Sequence, residues 1–276
     1  MTNQPLAQAT AAPTPQVFDD LNTFLDWDRD FYLPAEERFY DNAVQRMIEL
    51  LGVPPGATVL DAGCGVGTHS IRAARLGFNI RALDFSRPAL AEGQRRALQE
   101  GLAGRITFEY GDLTDLHLPD DSFPYVFSWG VVIHIPAAEK ALDSLARILK
   151  PGGRLALYIT NSTAFDFKLE ALARSVRGKR RLVMEKHPLG EGYWYRERRG
   201  EIWVWQMNIK AVTDHLESRG LVRLQRLPGM LTEMHTRCPR LLRRLIVAGN
   251  GAYFRWGLPA GPAEANLLLF EKPAEE

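Results

Sequence analysis

Cysteine and long apolar runs are almost absent from this sequence. Its 276 residues include only two cysteines, Cys64 and Cys238, which cannot form a disulfide framework and do not have zinc-ligand spacing. No apolar run reaches the roughly 18 residues of a membrane span, and the first residues lack the basic start and apolar stretch of a signal peptide. We therefore expect a soluble protein in the reducing cytoplasm, without a transmembrane segment.

An excess of charge of either sign is also missing. The 34 basic and 33 acidic residues leave a formal net charge of +1. The whole chain therefore exerts no strong attraction on nucleic acid or on a membrane, and any such contact must be local. Because 46% of the residues are hydrophobic, a chain of this length can bury a large core, which predicts one elaborated domain.

Large apolar side chains are rare in residues 1–16, MTNQPLAQATAAPTPQ. Such a segment cannot offset the entropy of ordering, so we expect a disordered tail. A single domain then occupies 17–276 and starts with an aromatic N-terminal cap at 17–52. Within this cap, Phe39, Ala43 and Met47 recur at helical spacing, which predicts a helix that ends at Gly52.

Apolar runs alternate with helical patterns in the region 53–160. The runs lie at 57–61, 79–83, 105–110, 123–129 and 154–159. This alternation predicts an α/β fold, a doubly wound and mostly parallel sheet with right-handed crossovers and helices on both faces. We assign 53–160 to a ligand-binding core.

Two irregular stretches, 161–206 and 228–264, interrupt the later pattern. Each follows a strand, so in a doubly wound fold both project over the carboxyl edge of the sheet, where ligands bind. They are predicted lid insertions. The first carries six Lys or Arg between 174 and 186, followed by five aromatic residues, Tyr193, Trp194, Tyr195, Trp203 and Trp205.

Both insertions allow more than one interpretation. The basic and aromatic residues of the first suit a nucleic acid or an anionic, ring-bearing small molecule, but equally a solvated helix face with a small core. The second contains a basic amphipathic segment with Leu241, Leu242, Leu245 and Ile246. That segment suits a membrane surface, a lipid-like acceptor or simple packing over the site.

A glycine-rich turn follows the first predicted strand, in TVLDAGCGVGTHS at 58–70. A strand ending at Asp61, a turn containing Gly63, Gly65 and Gly67, and a helix starting near Thr68 together form a ligand cradle. Dinucleotide-binding proteins use such a turn, but their G-x-G-x-x-G spacing requires glycine at position 68. The sequence therefore disfavours a nicotinamide cofactor.

Asp61 to Gly67 instead resembles the first motif of class I S-adenosylmethionine-dependent methyltransferases. The segments IRALDFS, EYGDLTDLHLPDDSF and LARILKPGGRLALYI are similar to the later signatures of this family, in the same order. The resemblance is strong over about 36–160 and moderate over 207–227, and Pro124 departs from it, because relatives usually carry Asp there. It implies a Rossmann-like sheet of seven strands, S-adenosylmethionine as cofactor and a methyltransferase activity.

The resemblance also implies the cofactor-binding residues. Asp84 would accept hydrogen bonds from both ribose hydroxyls, Asp112 would face the adenine amino group, and the backbone at Leu113 would meet the ring. Phe85 would either stack on the adenine or pack against the sheet. The complete expected set is Asp61, Gly63, Cys64, Gly65, Gly67, Asp84, Phe85, Asp112, Leu113 and Trp129.

Methyl transfer requires little further apparatus. The sulfonium methyl is already activated, so the protein must align the reactants and exclude water, and no metal is required. We expect a small-molecule acceptor, anionic or amphipathic, that is methylated on a hydroxyl. His134 is then the candidate base, with a rate that rises through an ionisation near pH 6 to 7; its alternative role is to cap the next helix. The alternative functions are an RNA or protein methyltransferase and a non-catalytic cofactor-binding regulator.

Overall fold

The computed structural model describes residues 14–31, 34–169, 183–233 and 238–274. Its strands form a central sheet of seven and a separate sheet of three. The central strands are β1 (Thr58–Ala62), β2 (Asn79–Asp84), β3 (Ile106–Tyr110), β4 (Phe123–Trp129), β5 (Leu149–Thr160), β9 (Val222–Pro228) and β10 (Ala265–Glu271). The small sheet consists of β6 (Glu185–His187), β7 (Gly190–Glu197) and β8 (Gly200–Met207).

Helices cover both faces of the central sheet. Those in the described part of the chain are α1 (Thr14–Phe18), α2 (Leu21–Phe31), α3 (Pro34–Leu51), α4 (Thr68–Arg75), α5 (Arg87–Gln99), α6 (Ala138–Ile148), α7 (Ile209–Glu217) and α8 (Arg240–Arg255), with a 3₁₀ turn at Val132–His134. Residues 165–169 are also helical. Among the described helices, none has the length and apolar character needed to cross a membrane.

The central sheet has the order β3-β2-β1-β4-β5-β10-β9. Neighbouring strands from β3 to β5 run parallel, whereas β10 is antiparallel to both β5 and β9. This arrangement confirms the prediction of a doubly wound, mostly parallel sheet of seven strands. The strand order reverses between β1 and β4, so the crevice at the carboxyl ends of these two strands is the expected ligand site.

Alternation along β5 divides the core between the two faces of the sheet. Leu155 and Leu157 pack with residues of α6 and α7, while Ala156 and Tyr158 pack with residues of α3, α4 and α5. Successive side chains of a strand point to opposite faces, so a strand with helices on both sides is apolar throughout. This explains why β5 appears in the sequence as a continuous apolar run.

Pro124, the residue that departs from the family pattern, lies near the start of β4. The register between β4 and β5 shifts between Phe123 and Tyr125, which is the position of the proline. Proline has no N–H to donate to the neighbouring strand, so it is tolerated where the pairing is already interrupted.

The N-terminal cap is helical. In α3, Phe39, Ala43 and Met47 are all buried, and the helix ends at Leu51 before Gly52, as their spacing predicts. Helix α1 begins at Thr14, so the boundary that the sequence suggested for a disordered tail, at residue 16, falls inside a helix. Residues 1–13 lie outside the described residues.

The first predicted insertion contains the three-stranded sheet. Trp203 and Trp205 of β8 are buried in the same core cluster as residues of α6, and Tyr193 is buried as well, whereas Trp194 is exposed. Most of these aromatic side chains therefore belong to the core and do not offer a stacking surface. The basic cluster of this insertion lies largely at 170–182, outside the described residues.

Candidate active site

The glycine-rich turn joins the end of β1 to α4 in a left-handed conformation. Gly63, Gly65 and Gly67 have φ values of 90°, 53° and 75°, which side-chain-bearing residues rarely adopt. The backbone N–H groups of Gly63 and Cys64 both donate to the carbonyl of Leu83, at 2.7 and 2.9 Å. This pair of hydrogen bonds ties the turn to the end of β2.

Each glycine of the turn also lies close to a different side chain, which leaves no room for a Cβ atom. A Cβ atom at Gly63 would lie 2.4 Å from Val131, and one at Gly67 would lie 2.9 Å from Phe108. A Cβ atom at Gly65 would lie 2.8 Å from the ring of Phe24, a residue of α2. Part of what the glycines accommodate is therefore the protein itself, and only Gly65 faces the helix that covers the turn.

Asp84 connects the turn to the second strand. Its Oδ2 accepts a hydrogen bond from the Gly65 N–H at 2.7 Å, and its Oδ1 accepts one from the Ser86 N–H at 2.9 Å. The residue is only 6% exposed. Burial raises the pKa of this carboxyl above its ordinary value, although these N–H groups oppose the rise. Each carboxylate oxygen has a second lone pair, so Asp84 retains the capacity to accept ribose hydroxyls.

Asp61 lies beneath the turn and not within it. Its Oδ2 accepts a hydrogen bond from Ser70 Oγ at 2.5 Å, which holds the first turn of α4 against β1. Burial and, to a lesser extent, the charge of Asp84 raise the pKa of Asp61 to about 7. Asp61 thus supports the turn, and Cys64 beside it is a buried side chain whose thiol pKa is raised by burial.

The expected adenine side of the crevice lies at the ends of β2 and β3. Asp112 is half-buried and accepts hydrogen bonds from the N–H and hydroxyl of Thr114, both at 2.8 Å and both on Oδ1, while Leu113 is buried in the core. A cleft of about 350 Å³ opens at this edge, a size that suits a small ligand. It is lined by Gln16, Asp19, Phe85, Arg87, Pro88 and Tyr110.

Trp129 ends β4 on the opposite side of the crevice. Its ring stacks on Tyr158 of β5 at 3.9 Å with an interplanar angle of 5°, and it also contacts the ring of His69 at 4.8 Å. The Tyr158 hydroxyl accepts a hydrogen bond from the Met230 N–H. Trp129 therefore lies in an aromatic wall at the carboxyl edge, and Tyr158, which sequence reasoning did not select, fixes its orientation.

His134 lies at the end of the 3₁₀ turn after β4. Its Nδ1 is 2.9 Å from the Trp203 carbonyl oxygen, which can only accept, so Nδ1 carries the proton and Nε2 has a free lone pair. Burial lowers the pKa of His134 to about 4, although the Trp203 carbonyl opposes this shift. The ring does not cap α6, whose N-cap residue, Ala137, has no side-chain cap hydrogen bond.

An aromatic cluster from the N-terminal cap encloses His134. The rings of Phe18 and Trp27 lie 5.3 and 5.4 Å from the imidazole, and Phe24 contacts both of these rings. Since Phe24 also lies over Gly65, α1 and α2 cover the glycine turn and the candidate base together. Sequence reasoning noted the density of aromatic residues before residue 40 but did not assign Phe18, Phe24 or Trp27 to the site.

Comparison with known proteins agrees with this geometry. Residues 59–153, which contain the turn, Asp84 and His134, match the family described as "Methyltransferase domain". Over 118 residues the chain is 36% identical to Methyltransferase GfsG of Streptomyces halstedii, covering 42% of this chain and 42% of that protein. The chain contains a class I S-adenosylmethionine-dependent methyltransferase domain.

Similarity to two further methyltransferases extends beyond the core. A demethylmenaquinone methyltransferase of Beutenbergia cavernae is 28% identical over 243 residues, covering 85% of this chain and 94% of that protein. Phosphoethanolamine N-methyltransferase 2 of Haemonchus contortus, solved with S-adenosyl-L-methionine, has a TM-score of 0.62 at 17% identity, covering 96% of this chain and 61% of that one. The chain spans less than half the length of several curated relatives that it matches.

The residues of the turn fit the cofactor of this methyltransferase class. S-adenosylmethionine carries a ribose, and the buried Asp84 carboxylate stands at the end of β2 with acceptor capacity to spare. The N-terminal amides of α4 are not capped by a side chain, so they can serve a carboxylate. Phe24 of α2 packs against Gly65, so α2 borders the turn that would hold the cofactor.

Proposed function

We propose that this protein transfers a methyl group from S-adenosylmethionine to a hydroxyl of a small molecule. The observation that carries the proposal is the juxtaposition of the cofactor turn and His134 under one aromatic cover, made by Phe18, Phe24 and Trp27. A cofactor cradle alone would support binding. An imidazole with an available nitrogen beside it supports the transfer of a proton as well.

The cover favours a small acceptor with an apolar or ring-bearing body. The cluster around it combines Val17, Phe18 and Ile202 with the partly buried rings of Phe24, Trp27, Phe85 and Tyr195. Few polar groups are available in such a wall, and the ones that are, such as His134 Nε2, would orient the ligand. A folded nucleic acid would require an open and positively charged surface instead.

The names of related proteins support a small-molecule acceptor, but they do not indicate which atom of the acceptor is methylated. One relative is named for demethylmenaquinone and a structural neighbour for the nitrogen of phosphoethanolamine. The assignment of a hydroxyl acceptor therefore depends on His134 and not on these relatives. An acceptor amine that is already deprotonated would not need a base.

The chain's own residues divide the work of the reaction. When bound, S-adenosylmethionine supplies a methyl group on a positively charged sulfur, which is already a good leaving group. The glycine turn and Asp84 hold the ribose side in place, and the cap helices exclude water. His134 is held by the Trp203 carbonyl in the tautomer with Nε2 unprotonated, so it accepts the hydroxyl proton as the acceptor oxygen attacks.

A methyl-transfer screen tests this proposal. The full chain is incubated with radiolabelled S-adenosylmethionine and a panel of phenols, aliphatic alcohols, amines and thiols with apolar skeletons. We expect label on one class of hydroxyl compound, and a loss of roughly 10²- to 10⁴-fold in kcat for His134→Ala with little change in cofactor affinity. Tight cofactor binding without transfer to any acceptor would favour a non-catalytic regulator, and labelled RNA or protein would favour the macromolecular alternatives.

Label found only on amines, with an unchanged rate for His134→Ala, would contradict the assignment of a hydroxyl acceptor. His117→Ala is the matched control, because His117 lies on an exposed loop away from the cover. Its rate should equal that of the unmodified protein.

A further inference from the structure

The outer face of α8 is apolar although it faces solvent. Leu241, Leu245 and Trp256 are 76%, 66% and 71% exposed, and positions 241, 245, 248, 252 and 256 fall on one side of a helix. The opposite side is anchored, since Val247, Asn250 and Tyr253 are buried. Isolated exposed leucines are common, but a continuous apolar stripe along four turns calls for a partner.

The charged residues of this segment of the chain all have the same sign. Between Glu233 and Glu264 the sequence contains five arginines, at 237, 240, 243, 244 and 255, and no acidic residue. Arg244 and Arg255 are exposed and border the stripe. An exposed face that joins leucines and a tryptophan to arginines is typical of a helix lying in the headgroup region of a bilayer.

Helix stability does not explain these arginines. Three of them, at 240, 243 and 244, fall in the first turns of α8, where the positive end of the helix dipole disfavours cations. The first turn contains no acidic residue and no side-chain cap, and of the arginines there Arg243 forms an ion pair with Glu36 of α3 at 3.4 Å. An anionic surface next to the start of the helix would compensate both the dipole and the exposed Arg244.

Self-association fits the same face less well. A symmetric contact places the same surface on both subunits. Two antiparallel copies of α8 would therefore bring Arg244 of one copy near Arg255 of the other. This arrangement is repulsive, and no carboxylate on the helix relieves it.

We propose that the outer face of α8, formed by Leu241, Leu242, Leu245 and Trp256 with Arg244 and Arg255, binds the surface of an anionic lipid bilayer. The leucines and Trp256 enter the headgroup boundary, and the arginines contact lipid phosphates. The inner face of α8 meanwhile contacts the catalytic domain, because Phe254 packs against Phe39 at 5.5 Å. Binding is thus a property of the folded enzyme and does not require an acceptor, so it can be tested separately from methyl transfer.

Vesicle flotation tests this surface. The full chain is mixed with vesicles of phosphatidylcholine alone, or of phosphatidylcholine with about 30% phosphatidylglycerol, and the floating protein is quantified. We expect binding to the anionic vesicles only, weakened at about 0.5 M salt. Leu245→Glu with Trp256→Glu should reduce binding by about tenfold or more, and Arg244→Gln with Arg255→Gln should reduce it with the apolar stripe intact.

Leu98→Glu is the matched control, because Leu98 is 70% exposed near the end of α5. It should bind vesicles like the unmodified protein, and calorimetry should give all variants the same S-adenosylmethionine affinity. Failure of the unmodified protein to float with anionic vesicles would overturn the proposal, as would equal flotation of the α8 variants. A dimer in sedimentation experiments that the α8 substitutions dissociate would show instead that a second copy covers this face.

Discussion

His134 shows how the environment of one residue alters its chemistry. A free imidazole titrates near pH 6.5, but enclosure by Phe18 and Trp27 lowers the pKa of this one to about 4. The rate dependence near pH 6 to 7 that an ordinary histidine would give is therefore not expected. Above about pH 5 the ring is neutral, so the Nε2 lone pair is available, and the lowered pKa makes it a weaker base than a free imidazole.

The same shift predicts how stability depends on pH. Below about pH 6.5 the unfolded chain binds a proton at position 134 that the folded chain excludes, so this residue reduces stability as the pH falls from about 6.5 to 4. His134→Gln removes that penalty. Urea unfolding between pH 4 and 8 should show the variant gaining stability relative to the unmodified protein as the pH falls. A constant difference across this range would contradict the burial of a neutral imidazole.

Asp84 has a structural role, and we expect it to bind the cofactor as well. Because its carboxylate holds the N–H groups of Gly65 and Ser86, Asp84→Ala should both loosen the turn and weaken S-adenosylmethionine binding, by roughly 2 to 4 kcal/mol. Calorimetric titration measures the affinity and thermal unfolding measures the structural part. Asp115→Ala, at an exposed acid in the loop after β3, is the control. Unchanged affinity in a folded Asp84→Ala variant would remove this residue from the site.

At the scale of an element, α2 covers the glycine turn. The helix places Phe24 over Gly65 and is tied to neighbouring elements by ion pairs. Arg199, in the turn between β7 and β8, contacts Asp20 and Asp26, and Arg96 of α5 contacts Asp28. We therefore expect cofactor entry to be faster when these partly exposed contacts are open.

Arg199→Gln tests whether these ion pairs hold α2 over the glycine turn. Partly exposed ion pairs contribute about 0.2 to 1 kcal/mol each, so the substitution should raise the rate constants for cofactor association and dissociation by about two- to fivefold. The equilibrium affinity should change little, because Arg199 contacts neither the turn nor Asp84. Stopped-flow fluorescence of the tryptophans measures both rates. The control is Arg196→Gln, at an exposed arginine of the same hairpin, and its rates should equal those of the unmodified protein. Equal rates in all three proteins would contradict the proposed role of the Arg199 ion pairs.

At the scale of the whole molecule, cofactor binding should stabilise the fold. The turn joins β1, β2 and α4 through Leu83, Asp84 and Ser70, so a ligand held there is linked to global unfolding. At a concentration 100 times its Kd, S-adenosylmethionine should add about 2.7 kcal/mol to the free energy of unfolding. Scanning fluorimetry should show a rise in Tm that Asp84→Ala largely removes. An equal rise with NADH would contradict the exclusion of a nicotinamide cofactor.

Periodicity and glycine spacing were sufficient to predict the central fold. The alternation of apolar runs with helical patterns gave the mostly parallel sheet, and the spacing of Gly63, Gly65 and Gly67 gave the turn. Both features depend on short segments of sequence. A glycine permits a positive φ at its own position, and a strand that is buried on both faces is a continuous apolar run. Asp84 followed from its place at the end of the second strand.

Tertiary contacts decided the rest, because they join residues far apart in the chain. The residues next to His134 in the sequence do not indicate that its ring is hydrogen-bonded to the carbonyl of Trp203 or that it contacts Phe18 and Trp27. The sequence could therefore propose His134 as a candidate base, but it could not predict the tautomer or the lowered pKa of this residue. Likewise, the motif predicted that position 65 has no room for a side chain, but only the packing of α2 showed that Phe24 occupies this space. Properties that depend on neighbours in the chain, such as the conformation of the glycine turn, can be predicted from the sequence. Properties that depend on desolvation and on distant partners, such as the pKa of His134, require the folded structure.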